Sequence, residues 1–187
     1  LTSAGVTMTK NLAERLSRLA DAYGCDFISG RMSRSCTQEQ LAIAIALVAN
    51  ASRAVGDQAS EIKRQRIRDF KREVSVVLND VVRSERVKKE KVVGDSGTEY
   101  QVDFVIWGGD KEHPLAFGEP VSDQDAVNTK FREFFDIKSN KAYQSIDRIA
   151  VYDDRHSWRS GDLLVLNRVS NIVPFTAFPR RLKRLGA

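Results

Sequence analysis

A chain of 187 residues with 42% hydrophobic and 29% charged residues can bury a core and is too apolar for a disordered tail. Its formal net charge of +5 leaves polyanion binding open without demanding it. No apolar run approaches the roughly 18–20 residues of a membrane span, and two cysteines with two histidines cannot build a Cys/His zinc framework.

The chain starts at Leu1 without a methionine or a signal-like run, so a natural N-terminus upstream is expected. Residues 1–5 read as a strand end and turn. Thr9 then offers an N-cap, and Leu12, Leu16, Leu19 and Tyr23 recur at helical spacing until Gly24. Residues 24–35 are polar and Gly-punctuated, a loop or hairpin. Thr37 and Gln40 form a capping box for a second helix over residues 41–55, ending near Gly56. Cys25 and Cys36 read as thiols of a reducing compartment, which places the chain in the cytoplasm. Residues 1–57 are expected to form a small helical unit, with a boundary at residues 57–60 and an α/β domain over residues 58–187.

From Glu61 a long helix carries Ile67, Phe70, Val74, Val77, Leu78 and Val81 on one face and mostly Lys and Arg elsewhere. Residues 86–93 read as a polar strand. Gly94-Asp95-Ser96-Gly97 supplies turn chemistry, and residues 100–107 form the most β-prone run of the chain. A loop at Gly108-Gly109-Asp110-Lys111 leads to a strand over residues 114–119, and Pro120 suggests an edge or a strand that stops there. Asp123 or Asp125 caps a helix through Lys138 with an apolar stripe of Val127, Phe131, Phe134 and Phe135. Residues 146–152 read as a buried strand, 153–161 as a loop, 163–166 as a further strand and 171–175 as an extended piece. A basic helix covers residues 179–185. The order α-β-β-β-α-β predicts an α/β (α+β) mixed sheet flanked by helices.

These residues resemble a bacterial and phage family of paired domains of unknown function, the eighteen-twenty-eight/eighteen-twenty-nine type. The likeness rests on Phe70, Gly94-Asp95-Ser96-Gly97, Asp103-Phe104-Val105-Ile106, Asp136-Ile137-Lys138 and Val151-Tyr152-Asp153-Asp154. Residues 1–57 are similar to the end of the partner domain through Leu1-Thr2 and Gly5. The resemblance implies a phage or mobile-element source and no established activity.

The element order, with an acid in the second strand and another in the third, is also similar to the PD-(D/E)XK nuclease fold. That likeness implies Asp103 and Glu119 as ligands of Mg²⁺ or Mn²⁺, with Glu73 as a third carboxylate, and a lysine that readies the attacking water. Val121 stands two residues after Glu119, where that lysine belongs. Lys130 on the following helix is the substitute, and Lys138 is less well placed. A degenerate site would need no cofactor.

A carboxylate at Asp103 amid Val102 and Phe104 is the local inconsistency of an otherwise ordinary strand. Capping a turn or pairing with a nearby Arg accounts for it as well as metal binding does. Glu119 also reads as an exposed strand-end acid, Lys130 as a solvated helix residue and Asp153-Asp154-Arg155-His156 as a turn. Trp107 and Trp158 suit either packing or base stacking. Lys88, Lys89, Lys91, Arg180, Arg181, Lys183 and Arg184 are the candidate nucleic-acid contacts, with solvated faces as the plain account.

The leading functional expectation is a nucleic-acid-associated protein on a nuclease-like scaffold with degenerate catalysis, its partner DNA or RNA. A protein-binding inhibitor of a host defence enzyme, and an active metal-dependent nuclease, are the alternatives. No membrane partner is expected.

Overall fold

The computed structural model describes residues 10–109 and 113–185, so the turn at residues 1–5, the Thr9 cap and the Asp110-Lys111 part of the hairpin loop lie outside it. The chain divides into two compact units, Leu1–Arg66 and Ile67–Ala187. No helix among the described residues is long and apolar enough to cross a membrane.

In the first unit, α1 (Lys10–Asp21) buries Leu12, Leu16 and Ala20 at helical spacing. The backbone reverses at Gly24, whose φ of +64° suits a residue without a Cβ. Strands β1 (Asp26–Ile28) and β2 (Arg31–Ser33) form a two-stranded hairpin. Its turn residues Ser29 and Gly30 have φ values of 51° and 81°, the paired positive angles that match the twist of a tight hairpin. Thr37 and Gln40 make the expected capping box, and after one 3-10 turn the chain enters α2 (Leu41–Val81). Leu12, Leu16 and Val55 form one apolar cluster, and Ala20, Cys25 and Ala51 a second. Ala51 is fully buried, which is what its small side chain allows.

The helix expected to end near Gly56 does not end there. Residues 57–60 lie inside α2, which runs unbroken for 41 residues. A glycine within a helix costs only about 1 kcal/mol against alanine, and Gly56 has ordinary backbone angles with no capping turn behind it. Arg53 and Asp57 pair across the position at i,i+4, so the local side chains favour continuing.

The second unit is a five-stranded mixed sheet in the order β3-β4-β5-β6-β7. Strands β3 (Val87–Val93), β4 (Glu99–Trp107) and β5 (Pro114–Val121) are antiparallel neighbours. Strands β6 (Asp147–Tyr152) and β7 (Asn171–Pro174) add on in parallel. Helix α3 (Ala126–Ser139) connects β5 to β6, and α4 (Ser160–Asn167) connects β6 to β7. Parallel crossovers of one hand that advance in one direction carry both helices to the same face. Accordingly Val121, Ala150, Val127, Phe134 and Leu166 share a cluster there. On the other face Phe104, Ile106, Ala116, Ile149 and Val151 pack against Phe70, Val74 and Leu78 of α2. Phe178 and Leu182 of α5 (Phe178–Arg184) complete that layer. The helix-flanked mixed sheet expected from the element order is therefore present.

Three local expectations need correction. Residues 163–166 are helix, not strand: a short unbroken apolar run carries no period that separates the two, and Leu166 is buried within α4. Of the two readings of Pro120, the strand end fails and the edge holds: Pro120 stays in β5 and pairs with Val151 in the parallel ladder. The β4–β5 ladder ends at Phe104 with Gly118, so beyond it β5 is paired on one side only and a missing N–H is tolerated. Phe135 leaves the apolar stripe of α3 and is 56% exposed, while Ile137 takes the buried place. At the start of that helix, Asp123 rather than Asp125 supplies the capping oxygen, accepting from the Ala126 N–H at 3.1 Å.

The Gly94–Gly97 turn is docked onto α3. Asp136 accepts from the Ser96 N–H at 3.0 Å, the Ser96 hydroxyl at 2.6 Å and the Tyr100 hydroxyl at 3.0 Å. A Cβ on Gly94 would fall 2.0 Å from the Asp136 carboxylate. Two of the short motifs that carried the family likeness are thus one structural clamp.

Gly118 has a comparable reason to be glycine. The Phe104 ring lies where its Cβ would be, 2.0 Å from two ring carbons. Gly118→Ala is expected to destabilise the fold by at least roughly 1–3 kcal/mol, because a ring held in a close-packed layer must move. Urea unfolding followed by tryptophan fluorescence measures it.

Candidate active site

The site grows out of an irregularity in β4. The β3–β4 ladder pairs Lys88 with Val105 and then Glu90 with Val102, so β4 carries one residue more than β3 in that interval. This bulge cancels the strand's alternation. Val102 and Val105, which strict pleating would put on opposite faces, both belong to the α3-side cluster, while Phe104 points to α2. Asp103 is the displaced residue. Its carboxylate meets Lys71 of α2 at 2.6 Å and Lys89 of β3 at 3.7 Å.

Glu119 lies across from it. One step past the last β4–β5 pair, Asp103 and Glu119 stand opposite each other. The strands have parted there, and Glu119 Oε1 accepts the Asp103 N–H at 3.1 Å in place of a backbone carbonyl. The Glu119 side chain is only 2% exposed and faces α3, where Lys130 Nζ approaches its Oε2 at 2.9 Å. Lys130 also donates to Glu133 at 2.7 Å, one turn along the helix.

The electrostatics follow from this crowding. Burial pushes the Glu119 carboxyl up to about 7; Lys130 pulls it down and the Asp103 carboxylate pushes it up again. This carboxyl holds its proton more tightly in the folded chain. It therefore favours folding at pH below about 4.5, an advantage lost once the pH has risen past about 7. Asp103 goes the other way: burial opposes its ionisation, but the Lys71 ammonium, a proton shared from Glu119, and Lys89 outweigh burial and lower it. For Lys130, burial works against the charge and the two glutamates outweigh burial, so its ammonium is retained more firmly than usual.

Asp103, Glu119 and Lys130 are thus gathered at one place by two strands and a helix. Glu73 is not with them. Its carboxylate holds Arg155 Nη1 at 2.7 Å, and Arg155 in turn forks onto the buried Asp153 at 2.7 and 3.0 Å. Lys138 is also elsewhere, donating to the Arg168 carbonyl at 3.0 Å. Among the described residues no group of three or more His, Cys, Asp or Glu side chains is arranged to hold a metal ion. The donor set is a pair of carboxylates. An all-oxygen pair suits Mg²⁺ or Mn²⁺, hard cations that take one or two carboxylates and keep several waters.

The basic segments are not one patch. Lys88, Lys89 and Lys91 lie on the edge strand β3, where Lys91 pairs with Glu99 at 2.8 Å. The segment with Arg180, Arg181, Lys183 and Arg184 is α5, which contacts β7 and lays Phe178 on Phe104 of β4. Within α5, Arg181 is tied to Asp147. Both indoles are committed to packing: Trp107 donates to Glu90 at 3.0 Å, and Trp158 donates to the Asp153 carbonyl at 2.8 Å beside Tyr152.

Sequence reasoning treated Lys71 as one cation of a solvated helix face and passed over Glu133. The signal for Glu133 was its i,i+3 spacing from Lys130. For Lys71 there was none, because its partner lies 32 positions away in the chain. Comparison with models of known protein families, with curated proteins and with solved structures returned no match.

Proposed function

We propose that the second unit is a metal-dependent nuclease hydrolysing phosphodiester bonds of DNA or RNA, on a PD-(D/E)XK-like arrangement. The observation that carries this reading is the approach of Lys130 Nζ to Glu119 at 2.9 Å, beside Asp103. A degenerate site is the expectation from Val121 standing where a lysine belongs; what supports activity instead is Lys130 reaching the carboxylate from the next helix.

Asp103 and Glu119 would hold the divalent cation, which when bound supplies Lewis-acid polarisation of the phosphoryl oxygens. The residues divide the remaining work. The Asp103 N–H orients Glu119, so the two carboxylates are fixed relative to each other through the backbone. Lys130 stays protonated and cannot take a proton from water. Its part is to position the attacking water by donation and to set positive charge beside the phosphoryl oxygens as negative charge builds. Glu133 keeps the Lys130 chain extended toward the pair.

The test is incubation of plasmid, single-stranded DNA and RNA with Mg²⁺ or Mn²⁺ and with EDTA, comparing the protein with Asp103→Ala. Cleavage that needs the cation and disappears with Asp103→Ala is expected. Equal products from both proteins, or none from either with any substrate, would overturn the reading.

A further inference from the structure

Lys71 and Lys89 do not belong to the catalytic trio, yet both converge on it. They come from different layers, α2 and the edge strand β3, and meet the same carboxylate. Their side chains are 41% and 68% exposed, whereas Asp103 is 14% exposed. The lysines therefore reach into solvent and the acid does not. Neither lysine has another acidic partner among the described residues.

The charges decide what these lysines can do. With Glu119 ionised, Asp103, Glu119 and Glu133 stand against Lys71, Lys89 and Lys130, so the cluster can neutralise itself without any cation. A divalent cation placed on the carboxylates adds two positive charges in a half-buried site, where they are costly unless balanced. Two phosphodiester groups balance them. The most exposed ammoniums, Lys71 and Lys89, are the ones able to swing away from Asp103 toward such groups.

We propose that Lys71 and Lys89 are nucleic-acid phosphate ligands, held on Asp103 in the resting protein and passed to backbone phosphates when a divalent cation takes that carboxylate. The inference rests on the nuclease reading for its cation. It makes cation and nucleic-acid affinity mutually reinforcing, as linkage requires of two ligands that favour the same rearrangement.

The experiment is fluorescence anisotropy with a labelled oligonucleotide over a series of KCl concentrations, first in EDTA. Asp103→Asn, an isosteric change, should free both lysines without any cation. It is expected to tighten binding and to steepen the fall of log K with log salt by about one for each lysine released. The triple variant Asp103→Asn/Lys71→Ala/Lys89→Ala should lose both the tightening and the added slope. For the otherwise unchanged protein, Ca²⁺ in place of EDTA should reproduce the steeper slope, and should no longer do so once Asp103→Asn is present.

If the triple variant binds as tightly and as steeply as Asp103→Asn alone, the gain is only the loss of a negative charge and the proposal fails. It fails also if neither Asp103→Asn nor Ca²⁺ changes the slope. Cleavage is not read in this assay, so the two ideas part cleanly. A protein that cuts with an unaltered slope keeps the nuclease reading and loses this one. A protein that switches slope without cutting does the reverse.

Discussion

Lys130→Met is expected to slow cation-dependent cleavage by roughly 10²- to 10³-fold under single-turnover conditions, with nucleic-acid affinity little changed. The magnitude is that of removing one donor aimed at charge that develops in a transition state. Two features make Lys130 the most sensitive point. Its side chain is 16% exposed and its ammonium is held between Glu119 and Glu133, so its position is set before substrate arrives. Its positive charge is reinforced by those glutamates against the pull of burial, so it acts as a fixed donor at ordinary pH. Methionine keeps the stem's bulk, and the Glu119 left behind can avoid an uncompensated charge by keeping its proton. Circular dichroism checks that the fold survives. A Lys130→Met protein that cuts as fast as the unmodified one would remove Lys130 from the chemistry.

The largest stability effect is expected at Arg155, away from the proposed chemistry. Arg155→Met should destabilise the protein by roughly 3 kcal/mol, the low end of the cost of stranding a buried charge, because Arg155 itself is 46% exposed. Asp153 lies in the core with its side chain 2% exposed, and the guanidinium fork is what makes its charge tolerable there. The same guanidinium sits 5.9 Å from the Phe70 ring centroid and 5.2 Å from that of Phe175, and reaches Glu73 of α2. Burial works to raise Asp153, but the Arg155 hydrogen bonds outweigh it and the net direction is down. A carboxyl lowered on folding stabilises above its unfolded value near 3.8, and that contribution is lost as the pH falls through the folded value. Asp153→Asn should cost less, since Arg155 is 46% exposed and can turn to water. Urea unfolding at neutral pH and again near pH 3 reads both the size and the sign. Equal costs for the two variants would mean that the buried charge is not what Arg155 compensates.

How much of this was legible in the sequence depended on how local the signal was. The hairpin at Gly94–Gly97, the strand through Phe104-Val105-Ile106 and the caps at Thr37 and Asp123 are set by neighbouring residues, and reading them needed no tertiary knowledge. Asp103 stood out because a carboxylate is out of place in a β-prone run. Glu73 misled for the converse reason: a helix acid facing the sheet looks alike whether a cation or Arg155 awaits it. Leu163-Leu164-Val165-Leu166 is too short for its period to show. The continuity of α2 through Gly56 was hidden because glycine only weakens a helix. Lys71 was invisible, since nothing near it in the chain marks one cation among many on that face.

The additional residue in β4 has a further meaning for how the chain can vary. On either side of Asp103 the strand keeps two separate in-and-out rhythms, matched to the core only by that offset. Lengthening the hairpin tip would leave both rhythms intact. Losing a single position between Val102 and Val105 would turn the first half of the strand over, sending Val102 outward and Gln101 inward. The proposed chemistry thus hangs on a count of residues as much as on which residues they are.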